Sequence, residues 1–210
     1  MQNIYITGTG FWIPEDGLTT NDEVVNSYNT YVDNYNSENA EAISDGSLEA
    51  LAPSSSEFIE KASGIKTRYL YDKHNCLDPN RMKPKTRPEL PDNTSILAEM
   101  GIESAKKAIA NAGITADDVD GIILGTSHSA RNYPAIAIEI QEALGINGYA
   151  YDMLVGCSST TFAISNAYSD IASGLASTIL VINPELTSPG NDFKIRAVSY
   201  THLTLPTTCT

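Results

Sequence analysis

The segment after residue 94 alternates apolar runs with amphipathic runs, and this alternation restricts the possible folds more than any other feature. Three runs are almost continuously apolar, as expected of strands covered on both faces: residues 121–126, 148–155 and 177–183. Helical spacing occupies the intervals around them: residues 94–112, 134–145 and 158–173. Because repeated strand–helix–strand units require right-handed crossovers, we predict an α/β fold with a mostly parallel sheet.

The first 91 residues carry a weaker pattern. Asn3–Thr7 (NIYIT) reads as a short buried strand that ends at Gly8. Helices are predicted over 22–35, within 36–53 and over 56–63. Four prolines from Pro79 to Pro91 predict a long irregular loop over 72–91, and a loop of that length is often functional.

The charge of the chain is acidic overall and uneven. A formal net charge of −13 disfavours a nucleic-acid partner. Residues 1–60 contain no Lys or Arg, whereas one short segment contains eight of the thirteen basic residues: Lys61, Lys66, Arg68, Lys73, Arg81, Lys83, Lys85 and Arg87. This basic segment either attracts an anionic partner, such as a nucleotide phosphate or an acidic carrier protein, or neutralises its acidic neighbour as a solvated loop.

Length and composition argue against a membrane-spanning protein, a secreted protein and a disulfide scaffold. A chain of 210 residues with 41% hydrophobic content is typical of a globular protein with one or two domains. No apolar stretch reaches the roughly 18 residues of a membrane helix, and the N-terminus lacks the features of a secretory signal. Three scattered cysteines (Cys76, Cys157 and Cys209) are too few for a disulfide scaffold, so we expect a reducing, cytoplasmic environment.

Cys157 is the most informative residue because it lies where a predicted buried strand ends and a helix of small residues begins. The unpaired amides and the positive end of the helix dipole favour a thiolate there, and a thiolate suits acyl transfer through a thioester. Gly156 permits a tight turn that presents the sulfur outward. Cysteine is also among the most buried residue types, so position alone leaves open a small core residue.

Other candidate groups form no recognised pattern. His74 and His128 are possible general bases, but nothing in the sequence places either near Cys157. Cys76 has no partner cysteine at metal-ligand spacing, and we expect it to be inert. The chain contains no CxxC, HExxH, P-loop or GxSxG motif, and no metal site is predicted.

Four segments, taken together and in order, resemble β-ketoacyl-acyl-carrier-protein synthase III of the thiolase superfamily. They are Ile6–Gly10 with Pro14, Ser63–Arg68 (SGIKTR), the run from Tyr133 to Ile146, and Asp152 to Ser159 around Cys157. The resemblance implies a thiolase-like layered α/β fold with a mostly parallel sheet and a buried central helix. It makes residues 1–196 the N-terminal half of a condensing enzyme, with 24–54 and 72–91 as insert or loop regions.

The same resemblance implies an activity. In this family a cysteine accepts an acyl group from acyl-CoA, and malonyl-carrier then decarboxylates and condenses with it. Cys157 would be that acceptor in a 3-oxoacyl-acyl-carrier-protein synthase III of fatty acid biosynthesis, and its backbone amide would form half of the oxyanion hole. The resemblance implies acyl-CoA and acyl carrier protein as partners, a homodimer when the protein is full length, and no cofactor.

Substrate-binding positions also follow from the resemblance. Phe58 lies where the family often has a tryptophan that stacks on the CoA adenine, and Arg196 lies where an arginine commonly flanks that base. Ala62 replaces an arginine that often meets a CoA phosphate, so we expect the basic segment to supply this charge. Tyr133 lies where an aromatic residue reaches across the dimer to close the acyl pocket, although core packing at a helix start is an alternative.

The end of the chain departs from the family pattern. Residues 197–210 carry no formal charge and include five threonines, so we interpret them as a non-native read-through tail in which His202 and Cys209 have no function. The catalytic histidine and asparagine of the family would lie beyond Arg196. We therefore expect the 210-residue chain to be inactive and unstable, because it would lack a fifth strand and expose an apolar helical face to water.

Two alternative functions remain compatible with the sequence. One is another acyltransferase of the thiolase superfamily, such as a hydroxymethylglutaryl-CoA-type synthase or a thiolase. The other is a non-catalytic subunit that binds carrier protein. Such subunits usually replace the nucleophile, whereas Cys157 is present here.

Overall fold

A computed structural model describes residues 3–86, 94–129 and 131–196, together with the backbone of 207–209. These residues form two compact units. The first unit comprises residues 3–13, 94–185 and 207–209, and the second comprises residues 14–86 and 186–196.

The first unit contains the α/β alternation that the sequence predicts. Its strands are β1 (Gly10–Trp12), β4 (Gly121–Thr126), β5 (Tyr149–Leu154), β6 (Ile179–Ile182) and β7 (Thr207–Cys209). Its α-helices are α5 (Ile96–Ala112), α6 (Ile136–Leu144) and α7 (Ser159–Ser173). Left-handed glycines end all three helices, at Gly113, Gly145 and Gly174.

Three parallel strands form the sheet of the first unit, in the order β5-β4-β6. Gly121 lies opposite both Tyr149 and Ile179, so the three strands begin level with one another. Every residue of the central strand β4 is buried, which explains its continuous apolar sequence. The prediction of a mostly parallel sheet is confirmed.

Helices cover both faces of this sheet. Ile123 and Val181 pack with Ala163 and Ala167 of α7 on one face. The next residue of β6, Ile182, points the other way and lies beside Gly101 of α5. The arrangement is an α/β/α layering around a buried sheet, as the sequence predicts.

The outer face of α7 carries large apolar side chains that this chain leaves uncovered. Phe162 and Tyr168 are 52% and 51% exposed. Among the described residues this helix buries its sheet side and leaves its outer face exposed, in agreement with the expected exposure of an apolar helical face. At about 25 cal/mol per Å2, uncovered apolar area of this kind forfeits free energy of folding.

The predicted strand Asn3–Thr7 is wrong, because residues 3–9 form no strand in the described structure. Tyr5 and Ile6 are 73% and 66% exposed. This segment and β6 both line an apolar groove of about 200 Å3, and no described strand pairs with residues 3–9. Strand pairing begins at β1, which pairs antiparallel with the backbone of β7.

A second correction concerns the start of α6. Pro134 is not the first helical residue, because Ala135 is the N-cap and the helix begins at Ile136. Alanine has no side-chain acceptor, and the carboxylate of Asp152 on β5 replaces it. Its two oxygens accept the N–H groups of Ile136 at 2.7 Å and Ala137 at 2.8 Å.

The second unit is mainly helical. Its helices are α1 (Asn21–Glu38), α2 (Ala40–Ser44), α3 (Ser56–Ser63) and α4 (Lys73–Cys76), and its strands β2 (Leu18–Thr20) and β3 (Thr67–Tyr69) pair antiparallel. Its core joins residues far apart in sequence: Tyr28, Val32, Leu70, Cys76, Met82 and Phe193. The predicted helices are thus present. The predicted loop 72–91 contains the short helix α4, and its last five residues lie outside the described range.

Replacement of Asp152 by alanine tests the capping of α6. We expect Asp152→Ala to lower the free energy of unfolding of the full-length protein by about 1–2 kcal/mol, because two helix N–H groups lose their acceptor. Asp152→Asn keeps one acceptor oxygen and should lose less. Urea unfolding measures both variants against the control Glu142→Ala, an exposed position on the same helix. Equal stability of Asp152→Ala and wild type would refute the capping role.

Candidate active site

Cys157 lies at the carboxyl edge of the parallel sheet, in a 3-10 turn (Gly156–Ser158) between β5 and α7. Its side chain is exposed. Gly156 has a φ of +60°, a left-handed conformation that favours glycine, and this turn directs the following residue away from the sheet. The predicted strand-to-helix junction is therefore present, and Cys157 is exposed and not part of the core of the described structure.

The electrostatic setting of Cys157 comes from α7. The first amides of a helix have no intrahelical acceptor, and their summed dipoles give that end a partial positive charge. The oxyanion of a tetrahedral intermediate would be stabilised by the same amides.

The turn that carries Cys157 is fastened to the sheet by one buried hydroxyl. The Oγ of Ser159 donates to the carbonyl of Thr126 at 2.9 Å and accepts the N–H of Val155 at 3.0 Å. Only 3% of Ser159 is exposed. Sequence analysis missed this residue, although a serine at the start of a helix is a common signal for a backbone hydrogen bond.

The end of β4 is in turn held to the segment after β6. The Thr126 hydroxyl donates to the Pro184 carbonyl at 2.8 Å. The carboxylate of Glu185 accepts both the N–H of Ser127 at 2.5 Å and its hydroxyl at 2.6 Å. Sequence analysis missed these residues too, because nothing in a linear pattern shows that 126–127 and 184–185 meet.

Tyr133, the predicted acyl-pocket residue, is 88% exposed in the loop before α6. It therefore takes no part in the core of this chain, and the core-packing alternative is wrong. The predicted role across a dimer stays a prediction.

Phe58 and Arg196 lie together in the second unit. The Arg196 guanidinium carbon is 4.8 Å from the centroid of the Phe58 ring, a cation–π distance. Phe58 lies on α3 and is 41% exposed. Ala62 follows one turn later on the same helix, and Lys61 beside it is exposed. The structure thus brings together the two residues predicted to hold a nucleotide base, although they are 138 positions apart.

Some residues of the basic segment bond to groups within the chain, and others are exposed to solvent. Arg68 is 5% exposed and donates to the Asn21 side chain, and its burial lowers the pKa of the guanidinium. The Lys73 ammonium forms a salt bridge with the Glu23 carboxylate, with 2.6 Å between Nζ and Oε1. The hydrogen bond from Lys73 is the main cause that lowers the pKa of the Glu23 carboxyl to about 2. Lys66 is exposed and pairs with Glu60 at 3.2 Å. Four further exposed residues can meet an anionic partner: Lys61, Arg81, Lys83 and Lys85. Arg87 lies outside the described residues.

The other candidate side chains are Cys76, His74 and His128, and none of them lies at the start of α7 as Cys157 does. Cys76 is fully buried in the second unit, and burial raises the pKa of its thiol to about 12, which agrees with the expected inertness. His128 is exposed, with its Nδ1 3.2 Å from the Ser127 hydroxyl and 3.9 Å from Glu185. His74 is exposed in the second unit.

Within the described ranges, no cluster of three or more potential ligands could hold a metal ion, and no helix is both long and apolar enough for a membrane span.

Comparison with known families agrees with this geometry. Residues 92–196 match the model of the thiolase N-terminal domain. This range contains the sheet β5-β4-β6, the helix α7 and Cys157. The chain belongs to the thiolase family.

Curated relatives that are similar to this chain include synthases that act with acyl carrier protein. The chain is 51% identical over 170 residues to a β-ketodecanoyl-[acyl-carrier-protein] synthase of Pseudomonas aeruginosa, covering 81% of this chain and 49% of the relative. It is 35% identical over 151 residues to a β-ketoacyl-[acyl-carrier-protein] synthase III of Mesorhizobium japonicum, covering 71% of this chain and 41% of that protein. The chain therefore spans about half the length of the curated relatives it matches.

Solved structures show the same fold. The 3-oxoacyl-[acyl-carrier-protein] synthase III of Aquifex aeolicus superposes with a TM-score of 0.68 at 24% identity, covering 97% of this chain and 51% of that structure. The corresponding enzyme of Pseudomonas aeruginosa gives a TM-score of 0.66 at 18% identity, covering 97% of this chain and 49% of that structure. The thiolase-like fold class is confirmed.

Proposed function

We propose that the full-length protein containing this chain is a 3-oxoacyl-acyl-carrier-protein synthase III that transfers an acyl group from CoA to Cys157. The observation that carries the proposal is an exposed cysteine at the N-terminus of α7, at the carboxyl edge of a parallel sheet. The similarity to a β-ketodecanoyl-[acyl-carrier-protein] synthase at 51% identity supports it.

The first half-reaction follows from this geometry. The Cys157 thiolate attacks the thioester carbonyl, and the amides at the start of α7 stabilise the oxyanion that forms. When the tetrahedral intermediate collapses, the carbon–sulfur bond to CoA breaks and the CoA thiolate leaves and takes up a proton. The products are acyl-Cys157 and free CoA.

The second half-reaction extends the acyl group by two carbons. Malonyl-carrier loses CO2, and the resulting carbanion attacks the acyl-Cys157 carbonyl. The bond to sulfur breaks, which regenerates the Cys157 thiolate and releases β-ketoacyl-carrier. We assign the histidine and asparagine that assist this step to the protein beyond residue 196, as the family resemblance implies. The balanced reaction needs no bound cofactor.

The proposed acyl substrate is of medium chain length. The relative at 51% identity is named for a β-ketodecanoyl product, and a ten-carbon product requires an eight-carbon acyl group plus two carbons from malonyl. The exposed apolar residues that flank the turn, Leu154, Val155 and Phe162, suit contact with such an alkyl chain. Octanoyl-CoA is therefore the proposed primer.

The proposed CoA site uses Phe58 and Arg196. An aromatic ring and a guanidinium plane are the surfaces on which a nucleotide base stacks. A base between them needs two van der Waals separations of about 3.5 Å each, so Arg196 must move outward from its present 4.8 Å. We assign a CoA phosphate to Lys61, which lies close to Ala62, the position where the family often has an arginine.

The carrier protein and the dimer are further parts of the proposal. Exposed Arg81, Lys83 and Lys85 offer positive charge to an acidic carrier. Strand β5 is an edge of the described sheet and provides unpaired backbone groups for a second copy of the chain. The exposed Tyr133 supports a contact across that dimer. The free thiols of Cys76 and Cys157 support a cytoplasmic location.

Acyl labelling tests the nucleophile. Incubation of the full-length protein with radioactive octanoyl-CoA should give about one acyl group per subunit, and acetyl-CoA should give less label at equal concentration. Cys157→Ser should abolish the label, whereas Cys76→Ala should retain it, because Cys76 is buried. Label that persists in Cys157→Ser would overturn the proposal.

Removal of the aromatic ring tests the CoA site. Phe58→Ala should weaken CoA binding about tenfold, since base stacking contributes about 1–3 kcal/mol, and Phe58→Trp should retain it. Isothermal titration calorimetry measures the affinity. Acylation by an N-acetylcysteamine thioester, which has no adenine, should be unchanged in Phe58→Ala. Phe11→Ala is the control because Phe11 is a comparably exposed phenylalanine of the first unit. A loss with both acyl donors would contradict stacking.

A further inference from the structure

Ser159 fixes both ends of the turn that carries Cys157. Its hydroxyl accepts the N–H of Val155, the residue directly after β5, and donates to Thr126, the last residue of β4. The bond to Val155 closes a ring around Gly156, Cys157 and Ser158. The Ser159 hydroxyl therefore links the two ends of the turn to each other and holds the turn against the end of β4.

Within this turn the N–H of Ser159 donates to the carbonyl of Gly156, and a second backbone hydrogen bond is long. The N–H of Ser158 reaches the carbonyl of Val155 at 3.4 Å, at the long end of the range for such bonds. The two Ser159 bonds are 3.0 Å and 2.9 Å. The side chain of Ser159 thus adds two shorter hydrogen bonds to the backbone bonds that hold the turn.

Thr126, which accepts the hydrogen bond from Ser159, is itself buried and hydrogen-bonded. Thr126 is fully buried, and its own hydroxyl bonds the Pro184 carbonyl. The preceding residue, Gly125, lets the helix start approach closely, because a Cβ there would lie 2.9 Å from the Ser159 carbonyl oxygen. Hydrogen bonds therefore connect the start of α7 to the end of β4, and the end of β4 to the segment after β6.

We propose that Ser159 is a positioning residue for acyl transfer, which keeps the sulfur and backbone amide of Cys157 in the orientation that an attacked thioester requires. This inference rests on the proposed acyl transfer to Cys157. Ser159 is buried and contacts no substrate, so its effect passes through the turn. A group that both donates and accepts is needed, which serine and threonine provide and alanine does not.

Two reactions of the Cys157 sulfur can distinguish a role of Ser159 in orienting the turn from a role in keeping the sulfur exposed. Acylation by acyl-CoA needs the amide of Cys157 aimed at the developing oxyanion, and small misplacements reduce such rates strongly. Alkylation by iodoacetamide needs only an accessible thiolate. Loss of the Ser159 hydroxyl should therefore affect the first reaction much more than the second.

The experiment uses the full-length protein and the variants Ser159→Ala and Ser159→Thr. Ser159→Ala should acylate from octanoyl-CoA about tenfold to hundredfold more slowly than wild type, while its iodoacetamide rate falls less than about threefold. Ser159→Thr should recover most of the acylation rate. The control is Ser169→Ala, which removes a hydroxyl that bonds only a carbonyl within α7.

Three results would overturn the inference: acylation of Ser159→Ala within about threefold of wild type, equal losses of acylation and alkylation, or a threonine variant no faster than alanine. Absence of acylation in the wild-type protein is a different result. It would remove the proposed function and this inference with it, whereas a labelled wild type with an equally labelled Ser159→Ala removes the inference alone.

Discussion

The level alignment of three parallel strands is the constraint on which the candidate site depends. Because β4, β5 and β6 run in the same direction, their carboxyl ends meet at one edge, where Thr126, Val155 and Pro184 come within reach of hydrogen-bonding partners. The start of α7 lies at this edge and brings helix amides to Cys157. An antiparallel sheet would not bring the ends of successive strands together in this way.

Burial separates the two described cysteines into different chemical classes. Cys76 is enclosed by the aromatic core of the second unit, which favours the neutral thiol. Cys157 lies in a turn that directs its side chain outward, at the positive end of a helix. The same residue type is thus a small hydrophobe in one unit and a candidate nucleophile in the other, and the difference comes from the local backbone.

Periodicity predicted the sheet, the helices around it and the junction at Cys157, since these features depend on neighbouring residues. It failed for Asn3–Thr7, because an apolar run becomes a strand only when a partner completes its ladder. It also could not show that Asp152 caps α6 or that Ser159 bonds Thr126, since those contacts cross between elements. Phe58 and Arg196 were predicted only through the family resemblance, and their contact is a tertiary feature.

Selective alkylation tests the central claim that the fold exposes one reactive sulfur at the sheet edge. The native full-length protein would be treated with iodoacetamide and analysed by peptide mass spectrometry. We expect rapid modification of Cys157 and no modification of Cys76 until the protein is unfolded. An unmodified Cys157 under native conditions, or modification of Cys76 at the same rate, would contradict the account.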